Sequence, residues 1–267
     1  MDIHKYALVR SLAEIIAAGL RIVDVGKPDG QRAQHQHILY CQSLIGLGFT
    51  LLHLPPDSRF PDSVFVEDPA VILEDVLVTA RLKHPKRHSE EARITEALRP
   101  YFSSDNISYI QPPGFLEGGD VLIAGKQLYI GLTERTNREG AEQLAAIANE
   151  QCGMETTLIP LPNDTLHLKG VASFHEESPT TPSVITVDER FASSLANTSH
   201  VVVRTLTTER FGANCLADGD RILVHEWATD AGRQLAELGF SVQFIDTSEF
   251  AKIDGAMTCL SKVFSSP

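Results

Sequence analysis

Short apolar runs separated by one or two polar residues recur along the chain. Ala70-Val71-Ile72-Leu73, the pair Glu74-Asp75 and Val76-Leu77-Val78-Thr79 read as a β-hairpin. Val121-Leu122-Ile123-Ala124, Gly125-Lys126 and Gln127-Leu128-Tyr129-Ile130 read as another, about fifty positions on. A two-residue turn between strand-length apolar runs is the geometry of a hairpin. Residues 172–187 and 215–224 predict two more strand pairs, the latter turning at Gly219-Asp220. After each pair the pattern lengthens to a helical period, over 89–99, 138–150, 188–196 and 229–238. Ser89 and Thr136-Asn137 are candidate N-caps, and Glu90-Glu91 suits the positive end of a helix. One more strand then follows each helix, at 107–110, 156–159, 200–204 and 242–245. A fifth unit is assembled from both ends: strand 6–9, helix 31–47, strand 50–54 and the C-terminal segment 258–264. Five hairpin–helix–strand units predict a radial or stacked α/β repeat. An open mixed α/β sheet is the alternative. No linker or low-complexity segment divides the sequence, so one domain over 1–267 is expected.

Composition narrows the class. The chain has 267 residues, 43% hydrophobic and 22% charged, as in ordinary globular proteins. No uncharged apolar stretch reaches the length of a membrane span, and Met1-Asp2-Ile3-His4-Lys5 lacks the features of a signal peptide. Cys41, Cys152, Cys215 and Cys259 are far apart, which argues against a zinc site or a disulfide framework and predicts a reducing cytoplasm. A net charge of −12 disfavours nucleic acid. It suits a cationic ligand, although acidity also serves solubility.

Candidate chemistry gathers at turns and strand ends. Phe60-Pro61-Asp62-Ser63-Val64-Phe65-Val66-Glu67-Asp68-Pro69 sets three carboxylates around an aromatic ring. Carboxylates accept paired hydrogen bonds from a planar guanidinium; a solvated acidic turn is the other reading. In Leu116-Glu117-Gly118-Gly119-Asp120 the glycines allow close backbone approach to a ligand, or simply make a turn. Leu166-His167-Leu168-Lys169-Gly170 places His167 in a strand-like alternation, where a structural role is equally natural. None of His35, His37, His53, His84, His88, His175 and His225 shows metal-ligand spacing. Cys259, in a short apolar strand just after the Gly-containing turn of segment 252–261, is either inert core or a nucleophile at a strand end. Arg135, before Thr136-Asn137, could meet an anionic group or only solvent.

Together these segments resemble the dimethylarginine dimethylaminohydrolases of the guanidine-modifying (pentein) superfamily. The family's Phe-Pro-Asp-Ser-Val-Phe-Val-Glu-Asp-Pro stands at 60–69, its Glu/Asp-x-Gly-Asp loop at 117–120, and its Gly-x-x-x-Arg-Thr-Asn segment at 131–137. Leu-His-Leu-Lys follows at 166–169, Ala-Asn-Cys at 213–215 and Asp-Gly-x-x-x-Cys-x-Ser at 254–261, with Gly26-Lys27-Pro28-Asp29 near the start. The resemblance implies a five-bladed α/β propeller. It implies that the family's Cys–His–Glu constellation maps onto Cys259, His167 and Glu117. Asp62, Phe65, Glu67, Asp68, Arg87, Arg135, Asp254 and the backbone near Leu20 and Ile253 would then line the substrate pocket.

The implied reaction is hydrolysis of Nω-methylated arginines to citrulline and a methylamine through a covalent cysteine thiouronium. No metal or organic cofactor is expected. The expected partner is a small methylated arginine, not nucleic acid or membrane, and a homodimer is compatible. One loop departs from the family's Arg-Pro-Gly-Ala-x-Ser-Arg-Arg, reading Arg81-Leu82-Lys83-His84-Pro85-Lys86-Arg87-His88; ungapped counting from Phe65 puts Arg87 at the carboxylate-binding arginine. The alternatives are an arginine deiminase or other guanidine-modifying enzyme, and a catalytically silent arginine-analogue binder. Val66-Glu67-Asp68-Pro69 replaces the deiminases' usual Thr-Arg-Asp-Pro.

Overall fold

The computed structural model describes residues 4–22, 24–195 and 199–266. The N-terminal part supplies β1 (His4–Arg10), helix α1 (Gly30–Leu47) and β2 (Thr50–Leu54). The next unit is β3 (Ala70–Leu73), β4 (Val76–Thr79), α2 (Glu90–Leu98) and β5 (Ile107–Tyr109). It is followed by β6 (Val121–Ala124), β7 (Gln127–Leu132), α3 (Arg138–Cys152) and β8 (Glu155–Pro160). Then come β9 (Ala172–His175), β10 (Val184–Asp188) and β11 (Val201–Thr205). β12 (Leu216–Asp218), β13 (Arg221–His225), α4 (Thr229–Glu237) and β14 (Ser241–Ile245) make the last repeat. Finally β15 (Lys262–Ser266) returns to β1.

These strands form five three-stranded sheets with the orders β15-β1-β2, β3-β4-β5, β6-β7-β8, β9-β10-β11 and β12-β13-β14. In each the first pair is antiparallel and the second parallel, as in Ala70↔Thr79 and Leu77↔Ile107. Residues from all five first strands (Lys262, Val71, Leu122, Phe174 and Leu216 among them) line one cavity of about 200 Å³. First strands that share a cavity require radial sheets. The chain is a five-bladed α/β propeller, not an open mixed sheet.

Local chemistry explains the elements. Helix α3 starts where Asn137 accepts a hydrogen bond from the Gly140 N–H at 3.0 Å, and it stops at Gly153, whose φ of 61° suits glycine. Ala141, Leu144, Ala148 and Cys152 fall on one helical face and pack on Val76, Leu128 and Ile130. Each large apolar side chain so buried contributes about 1.5–3 kcal/mol. That cluster also takes in Val71 and Val121, so it cements neighbouring blades.

Two local expectations change. Residues 188–196 were expected to be α-helical, but Glu189–Ser194 is a tight 3₁₀ helix, begun by Asp188 accepting the Arg190 N–H at 3.0 Å; Ala196 lies outside the described residues. Phe191 and Ala192 of this turn, with Leu195 after it, already pack on Ile185 and Val187. Ser89 does not cap α2 with its side chain; it takes φ 77° and lets the helix begin immediately after the turn Pro85–Arg87. Among the described residues no helix is long and apolar enough to cross a membrane.

Candidate active site

Five segments enter the five first strands from the same end of the axis: 62–69, 117–120, 166–170, 213–215 and 255–261. They carry Asp68, Glu117, His167, Asn214 and Cys259, residues far apart in sequence that radial symmetry brings to the centre. Neither His167 nor Cys259 sits on a strand, contrary to the alternation read around them. His167 is extended but leads into a 3₁₀ turn, and Cys259 lies within the turn Thr258–Leu260 just before β15. A cavity of about 210 Å³ opens there. Leu20, Asp62, Phe65, Asp68, Arg87 and Arg135 line it, with His167, Ile253, Asp254 and Cys259. Glu117 and Glu67 do not; Glu117 is buried behind His167, and Glu67 lines the axial cavity between the first strands.

The buried charges interlock. His167 Nε2–H donates to Glu117 Oε2 at 2.8 Å, and its Nδ1 lies 3.9 Å from Asp68 Oδ1. Burial opposes the imidazolium, but Asp68, Asp120 and Glu117 outweigh it and raise His167 to about 9. Burial likewise works against the Asp68 carboxylate, yet His167 and Arg87 hold it down at about 2. Arg87 Nη1–H donates to Asp68 Oδ2 at 2.6 Å, its Nε–H and Nη2–H groups reach Glu90, and Nη2 also donates to Phe65 O. Of its five donors one Nη1–H makes no hydrogen bond among the described residues, and Nη1 lies 4.0 Å from Glu117 Oε2. Arg135 Nη1–H donates to Glu117 Oε1 at 3.2 Å from the cavity wall. Ligand atoms of Asp68, Glu117 and His167 lie within 4.8 Å of one another, a spacing a metal could use. The two guanidinium groups already compensate both carboxylates without an ion.

Glycine makes this density of groups feasible. A Cβ on Gly119 would lie 2.6 Å from His167 Nδ1 and 2.8 Å from Asp68 Oδ1, and the Gly119 N–H donates to that same oxygen at 3.1 Å. Asp120, fully buried and raised to about 6 by that burial, accepts from Leu168 N–H and so sets the segment carrying His167.

Cys259 is half-buried. Burial, with Glu67 and Asp68 adding, pushes its thiol well above the ordinary range, so the resting group is a neutral thiol. Its turn is fixed by Asn214, which accepts from Thr258 N–H at 3.0 Å and donates to Thr258 Oγ1 at 2.9 Å. Thr258 Oγ1 in turn donates to Glu67, which is also ion-paired to Lys169. Asp62 and Asp254 tie down one loop: the first accepts from Leu20 N–H at 3.0 Å, the second from Ile22 N–H. Arg210 pairs with Asp254. A second chamber of about 370 Å³ adjoins the first and shares Cys259, His167 and Asp254 with it.

The chain is similar over its length to curated enzymes. It is 32% identical to the N(G),N(G)-dimethylarginine dimethylaminohydrolase of Pseudomonas aeruginosa, across 97% of this chain and 99% of that one. It is 33% identical to the protein of the same name from Streptomyces coelicolor, across 96% of both. The chain belongs to the dimethylarginine dimethylaminohydrolase family. The solved Pseudomonas aeruginosa dimethylarginine dimethylaminohydrolase, a mutant complexed with citrulline, superposes with a TM-score of 0.90 at 31% identity, covering 98% of this chain and 99% of that one. A dimethylarginine dimethylaminohydrolase captured as an adduct with S-methyl-L-thiocitrulline also gives 0.90 at 31% identity, covering 98% and 100%. The family model for arginine deiminase matches residues 57–182. The N-terminal domain of a cyanobacterial arginine dihydrolase, at 19% identity, shares the fold.

Within this dimethylarginine dimethylaminohydrolase-family chain, three contributors escaped the sequence reading. Glu90 looked like a first-turn acid and is the buried partner of Arg87. Asn214 stood inside Ala213-Asn214-Cys215 with no role attached. Arg210 carried no local signal at all.

Proposed function

We propose that this protein hydrolyses Nω-methylated arginines to citrulline and methylamine or dimethylamine, with Cys259 as nucleophile and His167 as proton carrier. The observation that carries the reading is that a thiol, a carboxylate-held imidazolium and the Asp68 carboxylate border one cavity of about 210 Å³. Asp68 keeps free lone pairs for a guanidinium and aligns its central carbon with the sulfur; such alignment supplies much of a rate enhancement. The arriving cation offsets the field of Glu67 and Asp68 on Cys259, so the thiol ionises as substrate binds and its proton passes to solvent, His167 being already protonated. Attack forms the S–C bond and a tetrahedral adduct. His167, oriented by Glu117, gives its proton to the methylated nitrogen, and the C–N bond breaks to release the amine. The neutral imidazole then takes a proton from water as its oxygen attacks the thiouronium carbon. Collapse expels the thiolate and yields citrulline.

Arg135, with the remaining Nη1–H of Arg87, is assigned to the α-carboxylate, and Asp62, Asp254 and the backbone at Leu20 and Ile253 to the amino-acid end. Phe65 walls the chain of the substrate; Glu67 acts behind Thr258 on the Cys259 turn. We read 1–267 as one catalytic domain working in a reducing compartment, where its four cysteines stay thiols. Sedimentation velocity decides between a monomer and the homodimer.

Citrulline release from asymmetric dimethylarginine, at a rate well above that from arginine, is the expected result. The match to the arginine deiminase model favours a second reading, arginine itself as substrate. Citrulline from arginine but none from dimethylarginine would select that reading and refute the first.

A further inference from the structure

The cavity between the five first strands shares no lining residue with the substrate cavity. It begins beyond the Thr258–Glu67–Lys169 layer and holds about 200 Å³, room for roughly six waters at about 30 Å³ each. Its walls are mostly apolar: Val71, Leu122, Phe174 and Leu216. Lys262, the first residue of β15, lines it at 8% exposure. The Lys262 ammonium makes no hydrogen bond or ion pair with any described residue.

Charge in the cavity does not balance. Glu67, its one lining acid, is taken by Lys169 and by the Thr258 hydroxyl. His175 is pushed down to about 3 by burial and is neutral, and burial pushes the Cys215 thiol up to about 12. Asp68 and Cys259 act on Lys262 only from the far side of that layer. Lys262 is left as a cation with no ion-pair partner of its own among the described residues, Glu67 reaching it only through its field. Burial lowers its amine to about 8, with Glu67 raising and Lys169 lowering it, so it keeps its proton at neutral pH.

We propose that the axial channel binds a small monovalent inorganic anion of halide class on Lys262. The Ser173 hydroxyl donates to Ala213 O, and the Ser261 hydroxyl shares one hydrogen bond with Tyr40 in which either oxygen donates, so at most one hydroxyl of the pair joins Lys262 and no ring of donors surrounds a phosphate or sulfate. One ammonium among apolar walls suits an anion that sheds water easily. Bromide therefore binds better than chloride, and sulfate hardly at all.

The test uses the full chain with ¹³Cε-labelled lysine, the Lys262 signal being the one missing from Lys262→Met. Its titration midpoint is followed in sodium bromide and in sodium gluconate at equal ionic strength. Bromide at about ten times its dissociation constant raises the midpoint by roughly one pH unit. In melts near pH 7, bromide raises the Tm of the wild type more than that of Lys262→Met. The arginines of the substrate cavity are common to both proteins and cancel in the comparison. A midpoint identical in the two salts, or equal melting responses in the two proteins, overturns the assignment.

Discussion

Gly119→Ala separates the positioning of the site from the stability of the fold. Gly119 is not in the left-handed region, so alanine meets no backbone strain there, and its smaller unfolded-state entropy favours folding by about 0.4–1 kcal/mol. The new methyl carbon, however, would stand 2.6 Å from His167 Nδ1 and 2.8 Å from Asp68 Oδ1. Opening the first contact to an ordinary 3.4 Å displaces the ring by roughly 0.8 Å. His167 is buried and tied to Glu117, so the displacement falls on the group that must meet the leaving nitrogen. A misplacement of about 1 Å costs about 100-fold in rate, and that is the expected fall in kcat/KM for dimethylarginine. Overpacking of this kind costs about 1–3 kcal/mol, partly offset by the entropy gain, so the variant stays folded. Gly118→Ala is the contrast: its Cβ would lie 2.3 Å from the Glu67 carbonyl oxygen and 2.9 Å from that of Ala70. Backbone cannot swing aside, so that variant loses folding stability first. Steady-state citrulline formation and thermal melts on both variants read the difference. A Gly119→Ala enzyme within about threefold of wild type would refute the claim that His167 is held to sub-ångström placement.

Cys259→Ser should abolish turnover while still binding dimethylarginine in calorimetry; measurable steady-state citrulline would remove the cysteine from the mechanism. His167, raised to about 9 in the fold, stabilises it through its charged form. That contribution is complete below its ordinary value of about 6.5 and fades as pH climbs through 9. Denaturant melts from pH 6 to 10 should therefore show a steeper loss for wild type than for His167→Gln, and equal losses would count against the shift. Arg87→Ala strands buried Asp68 and Glu90 and should cost about 3–5 kcal/mol in urea melts. Arg135→Ala, nearer the cavity surface, should keep the fold, raise KM and narrow the preference for dimethylarginine over its decarboxylated analogue; an unchanged preference would move the carboxylate contact elsewhere.

The repeating elements were legible because each depends on near neighbours in sequence. Apolar pairs around Glu74-Asp75 and Gly125-Lys126 carry their own hairpin register, and α3 carries its cap, face and terminal glycine within one stretch. The radial closure followed only from counting units, since no local pattern says that β15 returns to β1. Segment motifs and the family resemblance, not periodicity, singled out Cys259, His167 and Glu117. What stayed hidden depends on partners distant in the chain or on tight turns. Glu90 gains its meaning from the buried guanidinium of Arg87. Glu67 turns toward the axis because Lys169 and Thr258 hold it there. Ser89 gives up the cap expected of a serine for a left-handed turn, which keeps Glu90 one turn from Arg87.

The pairing of β15 with β1 means that the ring has no natural starting point. His4 and Ser266 are antiparallel partners, placed as the two sides of the hairpin turn in every other blade are placed. The closing blade is thus an ordinary blade whose turn happens to be the cut. Joining the two ends with a short turn and opening the chain at Gly125-Lys126 would give a circular permutant with every sheet intact. The five entry segments would still meet on the axis, though their order along the chain would begin with His167 and pass through Cys259 before reaching Asp68.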